Sequence, residues 1–443
     1  MDYLRLADGV AAAIADGRLR PGDRLPPQRT FARRHRVAVS TAIRAYGELV
    51  RRGLVVGEVG RGTFVRAAPP HPGSVLAEDS GRTPVNLELN YPVADGQSEL
   101  MGRALLGLAR PDVLLEATRP AAADGTPGAR AAAARMLARP GWCPDPDRLL
   151  FAGNGRQAIA AALSSLAGPG ARVGVEELTY PLVKAVAERL GISLVPIATD
   201  GSGMLPTALE AAHRRTPLSA VYVQPTLHNP LSLTMPGPRR AELAVALRES
   251  GLAAVEDTTW AFLADGPETP APLAAYAPER TLLVDSLSKR LAPGLTVGFL
   301  SVPEAYGEKA ARALRSGAWT AARFSLEAAV RWVEDGTVET VVAAKRAEAA
   351  ARQALVARHL GGFSVVTDPR SFYCWWRLPE PWRAETFVAA AVRELGIAVT
   401  PGSAFAVGAG SAPDAVRVGL ASPPRPVLDA ALRRLAELAA GER

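Results

Sequence analysis

From about residue 85 onward the chain repeats one pattern: a short apolar or β-branched run, then an Ala- and Leu-rich stretch long enough for a helix. The runs are RLLFAG, RVGVEE, SLVPIAT, AVYVQP, AAVED, TLLVDS and VGFLSV. Runs that are apolar throughout suit strands covered on both faces. Strands joined through helices cross over and lie parallel, which predicts an α/β body with a mostly parallel sheet. Near residue 326 the pattern changes. A helical stretch over 326–360 leads to strands near 363–378 and 414–421, as a smaller α+β region would. The body therefore divides into a large domain over 85–325 and a small C-terminal domain over 326–443.

The first 66 residues follow a different plan. Leu6, Val10 and Ile14 recur four apart, one apolar stripe on a helix. Arg20-Pro21-Gly22-Asp23 breaks that helix, and Pro26-Pro27 precedes a second, short one from Gln28 to about His35. Ser40-Thr41 can cap and open a third, with Ile43, Tyr46, Leu49 and Val50 on its inner face. LVVGEV and GTFV, joined through Gly57–Gly62, then read as a two-stranded hairpin. Three helices and a hairpin describe a winged helix-turn-helix over 1–66. Residues 67–84, rich in Pro, Gly, Ser and Ala, read as a linker.

Charge separates the same two parts. Residues 1–66 hold 13 arginines, no lysine and 6 acids, an excess of seven that equals the whole chain's formal charge of +7. The other 377 residues hold 38 bases and 38 acids. A compact basic module on a neutral body suggests a polyanionic partner, because neutralising phosphates releases counterions. Other classes are excluded. With 48% hydrophobic and 21% charged residues the chain can bury large cores and is no disordered polymer. Its two cysteines, Cys143 and Cys374, cannot make a disulfide framework or a four-cysteine metal site, and no metal site is expected. No run reaches the roughly 18 apolar residues of a membrane helix. The opening MDYLRLADG carries acids where an export signal carries bases, so a cytoplasmic location without membrane contact is expected.

In a helix-turn-helix the third helix enters the major groove, its N-terminal residues facing bases and phosphates. Ser40, Thr41 and Arg44 hold that end, Arg29 and Arg33 flank it, and Arg61 with Gly62 forms a thin hairpin tip. IADGRLRPGDRLPPQRTFA and RAYGELVRRGLVVGEVGRGTFV resemble the GntR family of bacterial regulators across residues 3–66. That resemblance implies double-stranded operator DNA as partner, with Arg29 gripping phosphate or base and Gly62 in the minor groove. Ala38 and Val39 stand where the family commonly has Ser-Arg, so one usual arginine contact is missing, which leaves the operator sequence open more than the binding itself.

In the body, Asp285-Ser286-Leu287-Ser288-Lys289-Arg290 follows the strand TLLV. A lysine beside two hydroxyls can form a Schiff base with an aldehyde cofactor while Ser286 and Ser288 bond a phosphate. Gly155 and Arg156, at the start of an Ala-rich helix, offer a phosphate seat. Asp257 ends the strand AAVED and can pair with a pyridine nitrogen. Asn229 can donate to a ring oxygen, and Tyr180 can stack on the ring. Each feature alone is ambiguous. Their order, closed by Arg417, resembles that of fold-type I aminotransferases over residues 85–440. The resemblance implies pyridoxal 5′-phosphate (PLP) held on Lys289, with Gly155, Arg156, Tyr180, Asn229, Asp257, Trp260, Ser286, Ser288 and Arg290 around it. It also implies an amino-acid or amine effector met by Tyr91 and clamped by Arg417.

A GntR-like reader fused to such a body resembles the MocR subfamily, which implies a head-to-tail homodimer whose PLP body works as a sensor. Of three departures, one is that the tyrosine often lent by the partner subunit is absent near Ala123, and the other two bear directly on the cofactor. Thr296 stands where the fold usually carries a phosphate-binding arginine, with Arg290 or Arg156 as candidate substitutes. Thr259 and Trp260 stand where a tyrosine usually reaches the ring oxygen. Both argue against efficient transamination. The alternatives are an active aminotransferase carrying a DNA module, and a regulator that has lost PLP.

Overall fold

The computed structural model describes residues 3–441 apart from 17, 20–22, 52–53, 59–61, 66–82, 265, 267, 295 and 409–411. Arg61 and all but the last two residues of the expected linker lie outside the described residues.

The head comprises α1 (Tyr3–Ala15), β1 (Arg24–Leu25), α2 (Gln28–His35), α3 (Val39–Arg51), β2 (Val55–Glu58) and β3 (Gly62–Val65). β2 and β3 pair antiparallel, and β1 adds to the other edge of β3, so the expected two-stranded hairpin is a three-stranded sheet. Leu6, Ala7 and Val10 of α1 pack against Phe31, Ala42, Tyr46 and Leu49. The Tyr46 hydroxyl donates to Pro26 O at 2.5 Å, anchoring α3 to the turn before α2. α3 differs from expectation in rotation. Its buried face is Ala42, Ala45, Tyr46 and Leu49, whereas Ile43 and Val50 are 50% and 43% exposed. The set spaced i, i+3, i+4, i+7 from Ala42 puts small residues against α1, and Ile43 lies about 100° round the helix from it.

The large domain is built on seven strands: β4 (Leu149–Ala152), β5 (Arg172–Glu176), β6 (Ser193–Ile197), β7 (Ala220–Val223), β8 (Ala253–Asp257), β9 (Thr281–Ser286) and β10 (Gly298–Ser301). Their order is β4-β10-β9-β8-β7-β5-β6. All neighbours are parallel except β10, antiparallel to both β9 and β4. Val221, Val223, Val255, Leu282 and Val284 are fully buried, each such side chain contributing about 1.5–3 kcal/mol. β4 feeds the helix α4 (Gly155–Leu166), and β9 feeds the one-turn helix α5 (Leu287–Arg290). Because the parallel strands share one direction, their C-terminal ends open on one edge, where such sheets place ligands.

The helix α6 (Thr337–Leu360) leads into the small domain, whose strands β11 (Ser364–Val366), β12 (Tyr373–Arg377), β13 (Thr400–Pro401) and β14 (Ala415–Gly419) form an antiparallel sheet in the order β11-β12-β14-β13. α7 (Arg425–Ala440) packs on α6, with Leu428 and Leu432 joining Val356 and Leu360 in one core. The first residues of the body also belong to this side. Val85–Asn86 pairs in parallel with Ile397–Ala398, and Leu87 joins the core of Val416 and Val418. Among the described residues no helix is long and apolar enough to cross a membrane, and no cluster of His, Cys, Asp or Glu could hold a metal.

Candidate functional site

The C-terminal edge of the sheet, α4 and the small domain enclose a cavity of about 180 Å3. Its wall includes Tyr91, Gly155, Arg156, Tyr180, Asn229, Asp257, Trp260, Ser286, Ser288, Lys289 and Arg417. These are all but one of the body residues singled out from the sequence.

The exception is Arg290. It points beneath the cavity, where Nη2 meets the fully buried carboxylate of Asp285 at 2.7 Å. Arg139 reaches the same carboxylate at 3.3 Å. Consecutive residues on a helical turn diverge by about 100°, so Lys289 entering the cavity turns Arg290 away from it. Arg290 supports the turn and is unavailable to a phosphate.

Lys289 Nζ donates to Asn90 O at 2.8 Å and lies 4.1 Å from the centre of the Tyr91 ring. Burial, with Arg156, Arg417 and Lys345 adding repulsion, pulls its pKa down to about 7. The amine is therefore half unprotonated near neutrality, as a nucleophile needs. Asp257, at the end of β8, is oriented by three donors. Its Oδ2 accepts from the Tyr222 hydroxyl at 2.6 Å and Gln224 Nε2 at 2.9 Å, and Oδ1 accepts from Thr259 N–H at 2.9 Å. Gln224 also takes the Asn229 N–H at 3.3 Å, so β7 and the loop after it lock both ring-facing groups together.

At the other end, Asn154 caps α4 by accepting from Gln157 N–H at 2.9 Å. The N–H groups of Gly155 and Arg156 have no acceptor within the helix. A Cβ on Gly155 would lie 3.0 Å from Ser286 Oγ, so glycine eases the close approach of the helix start to the β9 turn. Thr296 and Ser288 bond each other through their hydroxyls at 2.7 Å. The cation at this end is Arg156, which lies beside Tyr180. Burial pushes the Tyr180 phenol up to about 12 even so, keeping it neutral.

On the small-domain side, Arg417 of β14 donates through Nη2 to Glu88 O and, at 3.2 Å, to Thr400 Oγ1. Its Nε is buried without a partner. Trp260 is 7% exposed and its ring meets Tyr373 edge-on at 5.6 Å. Sequence reasoning missed Asn90, Tyr222 and Gln224. Only Gln224-Pro225, closing the apolar run of β7, offered a signal.

The set suits PLP. It joins a neutralisable amine, a carboxylate fixed by three donors, helix-start N–H groups with a cation, and a buried Asn229 side-chain oxygen without a partner among the described residues. Such a cavity can hold an aromatic aldehyde phosphate and, against Arg417, a carboxylate.

In the head, Arg29, Arg33, Ser40 and Arg44 are exposed and Thr41 is half-buried beside them. The Arg44 guanidinium lies 5.2 Å from the Tyr3 ring centre, which orients it at the start of α3. Gly62 has φ +125°, and a Cβ there would lie 2.7 Å from Arg24 Nε.

Residues 2–65 match the family of bacterial regulatory proteins of the gntR type, and residues 118–435 match aminotransferase class I and II. Among curated relatives, the HTH-type transcriptional regulator YdeF of Bacillus subtilis is 32% identical over 95% of this chain and 90% of its own length. TauR of Rhodobacter capsulatus, also an HTH-type transcriptional regulator, is 28% identical over 70% of this chain and 69% of its own. The HTH-type pyridoxine biosynthesis transcriptional regulator PdxR of Corynebacterium glutamicum is 25% identical over 68% of this chain and 65% of its own. Of solved structures, the kynurenine aminotransferase of Pyrococcus horikoshii superposes with a TM-score of 0.75 at 22% identity, over 85% of this chain and 95% of that one, a likeness of fold alone. A gntR-type reader, an aminotransferase fold and a regulator relative 32% identical over 95% of this chain place it in the MocR subfamily of GntR-family transcriptional regulators.

Proposed function

We propose that this regulator binds operator DNA through Arg29, Arg33, Ser40, Thr41, Arg44, Arg61 and Gly62, and that its body holds PLP at Lys289 and senses an amino acid or amine. The observation that carries the reading is a lysine amine with a pKa near 7 in one cavity with Asp257, Asn229 and Arg156. PLP, when bound, supplies an aldehyde open to amines and a ring that takes up electrons. Asp257 would hold the pyridine nitrogen, Asn229 the ring oxygen, and Gly155, Arg156, Ser286 and Ser288 the phosphate. Tyr180 and Trp260 would pack on the ring. Arg417 would hold an effector carboxylate as a two-pronged fork, with Tyr91 beside it.

An effector held by Arg417 on β14 and seated beside Lys289 would bridge the small domain to the large one. Such a bridge favours one placement of the small domain over another, which is what coupling to DNA requires. A head-to-tail homodimer would present two readers to two half-sites. Thr296, which brings a hydroxyl and no charge to this end, favours a second reading in which PLP itself is the exchanged signal.

The test is an absorbance titration of the purified, PLP-stripped chain with PLP and then with an amino-acid panel, alongside gel shifts. A visible band lost in Lys289→Ala, and a spectral change with an amino acid that also alters the gel shift, is expected. PLP binding that shifts the gel with no amino-acid response would select the second reading. Absence of any band sinks both. Steady turnover of an amino acid with an oxo acid would instead make the body an enzyme.

A further inference from the structure

Lys345, on α6, has no solvent exposure. A buried ammonium ordinarily sits against a carboxylate. Here Nζ donates instead to two backbone carbonyls, Lys289 O at 3.0 Å and Leu291 O at 2.6 Å. Gln97 Nε2 reaches Leu291 O as well, at 3.2 Å. These carbonyls lie at the end of α5, a single turn whose last C=O groups have no donors of their own. In a surface turn water would take them; in this core Lys345 does.

The same helix grips the small domain. Gln353 Nε2 donates to Ser371 O at 2.7 Å and to Tyr373 O at 3.2 Å, and Arg352 donates to Pro423 O at 2.7 Å. Lys345 and Gln353 are separated by about 12 Å of continuous helix. One rigid element thus holds the peptide of the cavity lysine at one point and the start of β12 at another.

We propose that Lys345 is a positioning residue: by fixing the carbonyls of Lys289 and Leu291 it presents the Lys289 amine to the cavity, and it ties that amine to the helix that carries the small domain. Only the spectral arm of the test rests on reading Lys289 as the PLP lysine. Besides Lys345, the charged groups acting on Lys289 are Arg156 and Arg417. On α6 itself, Arg346 is bonded to Phe262 O and Glu348 to Arg352, so neither neutralises Lys345. Burial accordingly brings Lys345 down to about 7.

The test uses the full chain, stripped of PLP, as wild type, Lys345→Met and Lys345→Arg. Trace acetylation with acetic anhydride across pH, read by mass spectrometry, gives the titration midpoint of Lys289, with the exposed Lys309 as internal reference. In Lys345→Met the Lys289 midpoint is expected to rise, by less than about one pH unit, as the weakest of the neighbouring positive charges is lost. PLP affinity, read by absorbance, is expected to fall about tenfold as the turn loosens. Lys345→Arg, which can still serve both carbonyls, should recover most of each. A folded Lys345→Met chain with an unchanged Lys289 midpoint overturns the proposal. So does a lower melting temperature with the pH profile intact, because a merely structural role would give that. Should the Met variant fail to fold, Lys345→Gln, which keeps a donor for one carbonyl, is read in the same way. A wild type that shows no visible band sinks the PLP reading and leaves the acetylation result standing.

Discussion

Replacing Arg156 by alanine tests whether this chain has moved its phosphate cation. Thr296 supplies no charge and its hydroxyl faces Ser288 at 2.7 Å, and Arg290 is committed to Asp285. Arg156 is then the cation left at the start of α4, where the helix N–H groups already favour an anion. One hydrogen bond to a charged group is worth about 1.5–3 kcal/mol. Arg156→Ala should therefore weaken PLP by about tenfold to 150-fold. Arg156 also lowers the Lys289 pKa, so its loss protonates that amine and slows capture of any aldehyde. Pyridoxal, which lacks the phosphate, carries that second effect alone. Titrating wild type and variant with both compounds isolates the phosphate contribution as the ratio of the two losses. Adding Thr296→Arg to the variant should restore PLP affinity by returning a cation to the same end of the cavity. Equal losses for PLP and pyridoxal, or no loss for either, would refute the relocation.

The Lys289 amine gives a pH prediction whose sign follows from burial, which penalises the ammonium. Its pKa falls from the ordinary 10.5 to about 7, so PLP capture by stripped protein should rise through neutral pH and level off above it; stopped-flow absorbance would refute this by showing a rise that continues toward pH 10. Between those two values the unfolded chain holds the extra proton, so this group makes stability increase with pH over that window. Arg29→Ala and Arg44→Ala should each weaken operator binding and, where the lost contact is a phosphate, reduce the log–log salt slope by about 0.9 in gel shifts at graded salt. Gly62→Ala, at φ +125° with its Cβ 2.7 Å from Arg24 Nε, should destabilise the head by about 1–3 kcal/mol in thermal unfolding, and an unchanged melting curve would count against the strain. Arg417→Leu should abolish the spectral response to an amino acid yet keep that to the matching amine without a carboxylate; equal loss for both would remove the clamp.

What was legible in the sequence follows from topology. Once β8 and β9 are known to be parallel neighbours, Asp257 and the Ser286–Lys289 turn must leave the sheet at the same edge, so spacing along the chain translates into proximity. Arg290 was misplaced because adjacency to Lys289 says nothing about which side of a one-turn helix it occupies. Tyr222 sits inside an apolar run and reads as core. Its role depends on pairing opposite Val255, two residues before Asp257, a register that no local pattern encodes. Lys345 lies fifty-six positions from the carbonyl it holds, on a helix whose other residues look ordinary. On α3, apolar content marked Ile43 as inward, but the small pair Ala42 and Ala45 decided which face closes on α1.

The two departures from an efficient transaminase fall at different ends of the cavity, Thr296 at the helix start and Trp260 beside Lys289. The ring end is heavily built: Asp257 has three donors, and Asn229 is locked to the same Gln224. The opposite end rests on helix N–H groups, two serines and one arginine, Arg156. A strong ring hold fixes orientation and electronics, whereas a phosphate clamp chiefly sets residence time. On the proposed reading, weakening the second while keeping the first would give a site that recognises PLP but lets it exchange. An enzyme gains nothing from that. A sensor must lose its ligand when the concentration falls, and α6, bonded to both Lys289 O and Tyr373 O, would carry such an exchange to the small domain.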